Sequence, residues 1–327
     1  MTVVCLFIGS SNMSISESFN ALFGNGTNAN IRIMQNIRLP RVLAAIIAGA
    51  CLAISGLIMQ TTLNNSMASP STLGVTNAAV FGANLSIIAF AGGFLNTGRN
   101  PSAFTTGMNP YATSTIAFVF AIFSVLLILG LSKIRSFSPN VLVLSGIAIG
   151  SVWTAMTTVL QFYATDVGLS AAVIWSFGDL GRATYETDII MGIVLIISLI
   201  YFGLMSWKYN GLLSGEQTAM SLGINVKVLR IVSLLFASLL TSLCVSFMGI
   251  IGFVGIICPH VAKKIIGQNH KHSLPATALI GSLLMLIADT VSRSIGNGSA
   301  LPVGAVTALL GAPFFLILLL SRRNSHA

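Results

Sequence analysis

The sequence predicts an all-α fold, a polytopic transmembrane helix bundle of about ten spans forming a single membrane domain over 1–327. Three observations predict it. Charged residues make up 7% of the chain, against roughly 25% in a soluble domain. Hydrophobic residues reach 55% and mean hydropathy is +0.92, too apolar for a chain this size to hide from water. The apolar runs approach the roughly 20 residues that a membrane helix needs and lack the strict alternation of a membrane barrel.

Apolar runs read against turn residues place the spans in order: a stub at 1–9, then 41–60, 71–92, 114–131, 140–163, 188–206, 227–248, 253–266, 274–294 and 302–320. The stub in "MTVVCLFIGSSNMS" has no basic flank and is too short to cross a bilayer or serve as a signal peptide. It is expected to be the remnant of a first span whose beginning is missing. The run at 41–60 starts behind "RLPR", where Pro40 suits a first helical turn. The run at 253–266 is short and holds Pro259, which predicts a bent or partly re-entrant segment. Ala45, Gly49 and Ala53, Gly146 and Gly150, and Gly249, Gly252 and Gly255 are spaced for close helix packing in lipid. Between two spans, "LLSGEQTAMSLGINVKVLR" predicts a short helix near 215–222 outside the bilayer. Ser214 and Gln217 form a capping-box pattern there, and Gly223 suits the stop.

Basic residues orient the bundle. Lys133, Arg135, Lys208, Lys227, Arg230, Lys263, Lys264, Lys271, Arg322 and Arg323 fall on one side. Arg32, Arg38, Arg41, Arg99, Arg182 and Arg293 fall on the other. Every lysine is in the first set, so that side is cytoplasmic and both termini lie inside. Arg38 and Arg41 then sit outside, against the bias, and beside the positive end of a helix dipole, which costs on the order of 0.3–1 kcal/mol. Snorkelling anchors at the interface and a docking site for an acidic partner both account for them.

Chemistry-bearing groups are sparse. The net charge of +9 has no basic cluster interleaved with aromatics, which argues against nucleic acid as a partner. Cys5, Cys51, Cys244 and Cys258 lie in apolar runs without metal or disulfide spacing, so they read as buried thiols, and no metal or other cofactor is expected. Asp289 is the carboxylate that lies well inside an apolar run. Arg293 is one helical turn away, so the two share a face and can pair. That pairing competes with a proton-coupling role for Asp289, which would make the chain an ion-coupled secondary transporter. His260, following Pro259, reads as structural hydrogen bonding over ligation. No Walker A, HExxH, GxSxG or CxxC pattern occurs, so the chain is not expected to hydrolyse nucleotide or act as an enzyme.

A series of stretches resembles one family, the FecCD-type permeases of bacterial ABC importers for ferric siderophores, haem and cobalamin. It opens with "RLPR" at 38–41, "GACLAISGLIMQ" at 49–60 and "NNSMASPSTLGVTNAA" at 64–79. "LSGIAIGS" at 144–151 and "SGEQTAMSLGI" at 214–224 follow. "GIIGFVGIICPHVAKKIIG" at 249–267, "ADTVSR" at 288–293 and "LPVGAVTALLGAPFF" at 301–315 complete the family's order. The resemblance implies a multi-pass protein of the bacterial cytoplasmic (inner) membrane, paired with a second permease subunit, most simply as a homodimer in the lipid bilayer. Two cytoplasmic ATP-binding subunits would hydrolyse ATP, and an extracytoplasmic substrate-binding protein would deliver the cargo, a ferric siderophore or another metal chelate. It implies that Arg38, Arg41 and Arg293 face acidic residues of the binding protein. It also implies that Gly215, Glu216, Ala219, Leu222 and Gly223 contact the ATPase, and that Gln60, Asn65 and Pro70 belong to a re-entrant gate. The family's Asn-Pro-Leu-Ala reads Asn65-Ser66-Met67-Ala68 here, its Gly-Ala pair reads Ala78-Ala79, and an expected arginine is Lys263.

Overall fold

A computed structural model describes residues 2–7, 13–91, 109–133, 138–295 and 300–323. The described residues contain helices α1 (Thr2–Phe7), α2 (Ile15–Leu22), α3 (Asn28–Arg32), α4 (Leu39–Thr62), α5 (Val75–Asn84), α6 (Pro110–Ser132), α7 (Pro139–Phe162) and α8 (Asp166–Ser176). They continue with α9 (Tyr185–Leu204), α10 (Ser206–Leu213), α11 (Glu216–Ser221), α12 (Val226–Met248), α13 (Val254–Ile266), α14 (His270–Ile295) and α15 (Val303–Arg323). Among the described residues, six helical runs are long and apolar enough to cross a membrane: 28–62, α6, α7, α9, α12 and α14. The ten-span expectation is met only in its coarser form, because the segments at 75–90, 166–176 and 303–316 are apolar but short. Arg99 and Arg135, counted in the orientation argument, lie outside the described residues.

Two local expectations are corrected. The chain does not start a helix at Pro40. It is helical from Asn28 to Thr62, with a π-helical segment at Ile33–Arg38 leading into α4. Proline cannot donate to the preceding turn, and the wider π turn directly before Pro40 accommodates the missing bond. Arg38 and Arg41 are therefore mid-helix, and the helix-dipole penalty does not apply to them. The second correction concerns α11. Its N-cap is Gly215, with φ of 109° and no side-chain cap, so the Ser214–Gln217 box does not form. Gly223 does take the left-handed conformation just past the helix, at φ 77°.

The core is α4, which is buried along most of its length. It is hydrophobic nearly all round, as a central helix must be. α14 packs antiparallel to it. Arg41 meets Asp289 at one end and Thr61 meets His270 at the other. Between them, a Cβ on Gly49 would lie 2.4 Å from the Gly281 carbonyl oxygen. α13 approaches as closely, since a Cβ on Gly56 would lie 1.8 Å from the Gly255 oxygen. These glycines let backbones touch where lipid supplies no hydrophobic drive. Gly252, grouped with them by spacing, faces open space instead. α12 lies against α4 through Ser55, whose hydroxyl donates to Ala237 O at 2.8 Å and lies 2.8 Å from Thr241 Oγ1. The four cysteines are buried free thiols.

Candidate functional site: two charged ends of the bundle

The antiparallel pairing of α4 with α14 separates the polar groups into two clusters at opposite ends. At the first end, the fully buried Asp289 carboxylate is clasped by two arginines. Arg41 Nε donates to Oδ1 at 2.7 Å, and Arg293 Nη2 lies 3.0 Å from Oδ2. Arg41 also reaches toward Asp179, 3.9 Å away, whose side chain is partly exposed. Arg38 Nη1 donates to the Leu6 carbonyl at 3.0 Å, and Arg293 Nη2 to that of Cys5 at 3.0 Å. These two arginines thus satisfy the open carbonyls at the end of α1 and oppose the negative end of its dipole. The stub of the sequence reading is a helix bound to this cluster, with Cys5 buried. Arg38, Arg41 and Arg293 are 4%, 8% and 7% exposed. In this chain they point into the bundle and do not snorkel along a lipid interface. Nearby, both Arg182 terminal nitrogens donate to carbonyls of α8, at 3.0 Å each. Burial lowers its pKa, opposed by the Asp179 charge.

The second end gathers around the last turn of α4. Gln60 accepts from Lys263 Nζ at 3.0 Å. Thr61 Oγ1 lies 2.8 Å from His270 Nε2, and the other ring nitrogen of His270 lies 2.9 Å from Asn210 Oδ1. The Thr62 carbonyl accepts from Arg230 Nε at 2.9 Å. Arg230 also pairs with Glu216 on α11. The turn after α4 bends through Asn64, which has a left-handed φ of 45°, and Asn65, whose side chain accepts from Met67 N–H at 2.9 Å. Pro70 is buried against the α4–α13 contact. An open cavity of about 550 Å³ is lined here by Asn64, Asn65, His260, Lys263 and Lys264.

On α11, Glu216 is half-buried and Ala219 fully buried, while Met220 and Leu222 present exposed apolar side chains. Gly215 and Gly223 bracket the helix with positive φ. The structure thus brings Arg41, Asp289 and Arg293 into one cluster with Arg38 beside them. It brings Gln60 and Asn65 near the α11 cluster, at the opposite end.

Sequence reasoning missed several participants. Arg230 counted there only as a topology signal, yet it is a 3% exposed cation. Asp179 and the His270–Asn210 pair carried no local pattern. Asp289 is also not alone, because Asp188 in the first turn of α9 is buried with no hydrogen-bond partner for either carboxylate oxygen. Among the described residues no group of His, Cys, Asp and Glu could hold a metal ion.

The comparisons with known proteins fit this architecture. The model of the FecCD transport family matches residues 1–321. The chain is 46% identical over 320 residues to an ABC transporter permease protein of Methanocaldococcus jannaschii, covering 98% of this chain and 90% of that protein. It is 34% identical over 327 residues to the hemin transport system permease HmuU of Yersinia pestis, covering 99% and 95%. A solved inward-facing metal-chelate type ABC transporter superposes with a TM-score of 0.80 at 28% identity, covering 97% of this chain and 94% of that one. The helix bundle is therefore that of a membrane transport subunit, and the chain belongs to the FecCD transport family.

Proposed function

We propose that this chain is the membrane permease of an ATP-driven importer that passes a metal chelate from an external binding protein to the cytoplasm by alternating access. One observation carries the reading. The single membrane domain holds an arginine cluster at one end and a short, partly exposed loop helix at the other, joined by the continuous core helix α4. The arginine end, which Arg38, Arg41 and Arg293 build from within the bundle, serves the extracytoplasmic binding protein. The α11 end serves two ATP-binding subunits through Gly215, Glu216, Ala219, Leu222 and Gly223, and those subunits hydrolyse the ATP. The turn holding Asn65 and Pro70, with Gln60 before it, forms the inner gate. A second copy of the chain completes the pathway, and the two termini face the cytoplasm. A ferric siderophore leads as cargo, with haem, cobalamin and oxyanions as the other members of the class. The hemin permease among the relatives supports a metal-chelate cargo.

An ion-coupled secondary transporter using Asp289 is the weaker reading. A carboxylate with Arg41 on one oxygen and Arg293 beside the other is engaged in a fixed ion pair, which suits a structural role better than a proton carrier. Reconstitution into proteoliposomes tests the main reading. Uptake of a ferric siderophore or haem should require the ATP-binding subunits, ATP and the binding protein together. Uptake by this chain alone, abolished by Asp289→Asn in a folded protein, would overturn it. Arg38→Glu, Arg41→Glu and Arg293→Glu together should weaken capture of the binding protein at low salt in a protein whose size-exclusion and thermal profiles match the parent, and unchanged capture would remove this end of the bundle from the docking face.

A further inference from the structure

We propose that Arg230 is a positioning residue that links the ATPase-facing helix α11 to the gate turn after α4. The inference rests on the reading of α11 as the ATPase contact, and adds the side chain through which its movement reaches the gate.

Arg230 stands in the first turns of α12 and is 3% exposed. A buried guanidinium costs several kcal/mol unless its donors are matched. Two of its donors go to two different elements. One terminal nitrogen pairs with Glu216, the first residue of α11. The Nε donates at 2.9 Å to the carbonyl of Thr62, the last residue of α4. Thr62 is followed at once by the turn through Asn64, Asn65 and Pro70. One rigid, planar group therefore connects the start of the loop helix to the start of that turn. Lysine carries its three donors on one nitrogen at the end of a flexible stem, so it lacks the fixed fork that holds both acceptors in set positions.

Neighbouring bonds explain why movement would pass through this group. Gln60 is held by Lys263 of α13, and Thr61 by His270 of α14, which is itself held by Asn210 of α10. The last turn of α4 is thus tied to three elements by three successive residues, and the Thr62 tie reaches α11 through a single side chain, whereas the Thr61 tie reaches it by way of His270 and α10. Glu216 is the exposed member of that tie, with a side chain 42% accessible beside an open cavity of about 440 Å³. A cation or backbone donor of a docked subunit can compete for Glu216 there, changing the load on Arg230 and on the Thr62 carbonyl.

The test uses the complete transporter with its ATP-binding subunits, carrying spin labels at Thr218→Cys on α11 and Met67→Cys on the gate turn, both exposed positions. Adding a non-hydrolysable ATP analogue should shift both labels in the parent protein. With Arg230→Lys, subunit capture and the shift at 218 should persist, while the shifted fraction at 67 should fall about tenfold, within the usual range of coupling between sites. Arg230→Met should do the same, and size-exclusion and thermal profiles matching the parent exclude a folding defect. An unchanged shift at 67 in both variants overturns the relay and leaves α11 as the ATPase contact. Loss of subunit capture in Arg230→Lys also overturns it, making Arg230 part of the docking surface. A parent protein that captures no ATP-binding subunit removes the underlying reading and the relay together.

Discussion

The carboxylate of Asp289 is wholly buried and answers two arginines at once, so its neutralisation has a calculable cost. Arg41 Nε lies 2.7 Å from Oδ1 and Arg293 Nη2 3.0 Å from Oδ2. Each charge pair is worth about 4 kcal/mol at an effective dielectric near 20, before the cost of burial is subtracted. Asp289→Asn keeps the shape and one acceptor but removes the charge that the two buried guanidinium groups share, while the partly exposed Asp179 stays 3.9 Å from Arg41. Removing one member of a buried ionic group destabilises by about 3–5 kcal/mol. The mutual repulsion of the two arginines adds to this. The expected loss is therefore in that range, measured by denaturant-induced unfolding in bicelles and followed through the tryptophans. Adding Arg293→Met to Asp289→Asn removes one uncompensated charge and should recover about half of the loss. A single variant losing less than about 1 kcal/mol, or a double variant less stable than the single, would refute the clasp as the main constraint on this end of the bundle.

Further outcomes follow from the same contacts. Arg38→Ala removes the donor to the Leu6 carbonyl; a bond to a charged group is worth about 1.5–3 kcal/mol, so α1 should lose hydrogen-exchange protection over residues 2–7 while α4 keeps its own. Unchanged protection at 2–7 would show that the Arg38 bond is dispensable for holding α1. Gly56→Val places carbon within 1.8 Å of the Gly255 oxygen, a clash with backbone that no rotamer relieves, and should cost at least about 3 kcal/mol of unfolding free energy. A loss below about 1 kcal/mol would mean that α4 and α13 separate freely. Leu222→Asp puts a charge on the exposed apolar face of α11 and should abolish cargo-stimulated ATP hydrolysis without changing stability; retained stimulation would move the contact elsewhere.

Parts of this molecule were legible as text. Composition demanded membrane helices, and their approximate positions followed from where polar and turn residues interrupt apolar runs. The i, i+4 spacing of Asp289 and Arg293 foretold a pair because a helix brings such residues onto one face. The helix at 215–222 was readable from its flanking glycine even though its capping box did not form. The π segment before Pro40 was not readable, because a proline behind a helical pattern reads as a helix start unless the preceding turn is seen to widen. Short α2, α8 and α10 also escaped, being too brief for periodicity to separate from loops.

What the sequence by itself determined is the solvent this chain must live in, the helical runs that suit it and the polar residues too costly to leave unpartnered. Tertiary structure alone decided who partners whom. Arg41 and Asp289 are separated by 248 positions and Arg230 and Thr62 by 168, and no local pattern encodes such pairings. They follow from α4 lying antiparallel to α12 and α14 at a spacing that glycines permit. That packing turns three arginines, which looked outward-facing in the text, toward a buried carboxylate and the end of α1. It also makes Arg230, one of sixteen scattered cations in the sequence, the bridge between a loop helix and the last residue of α4.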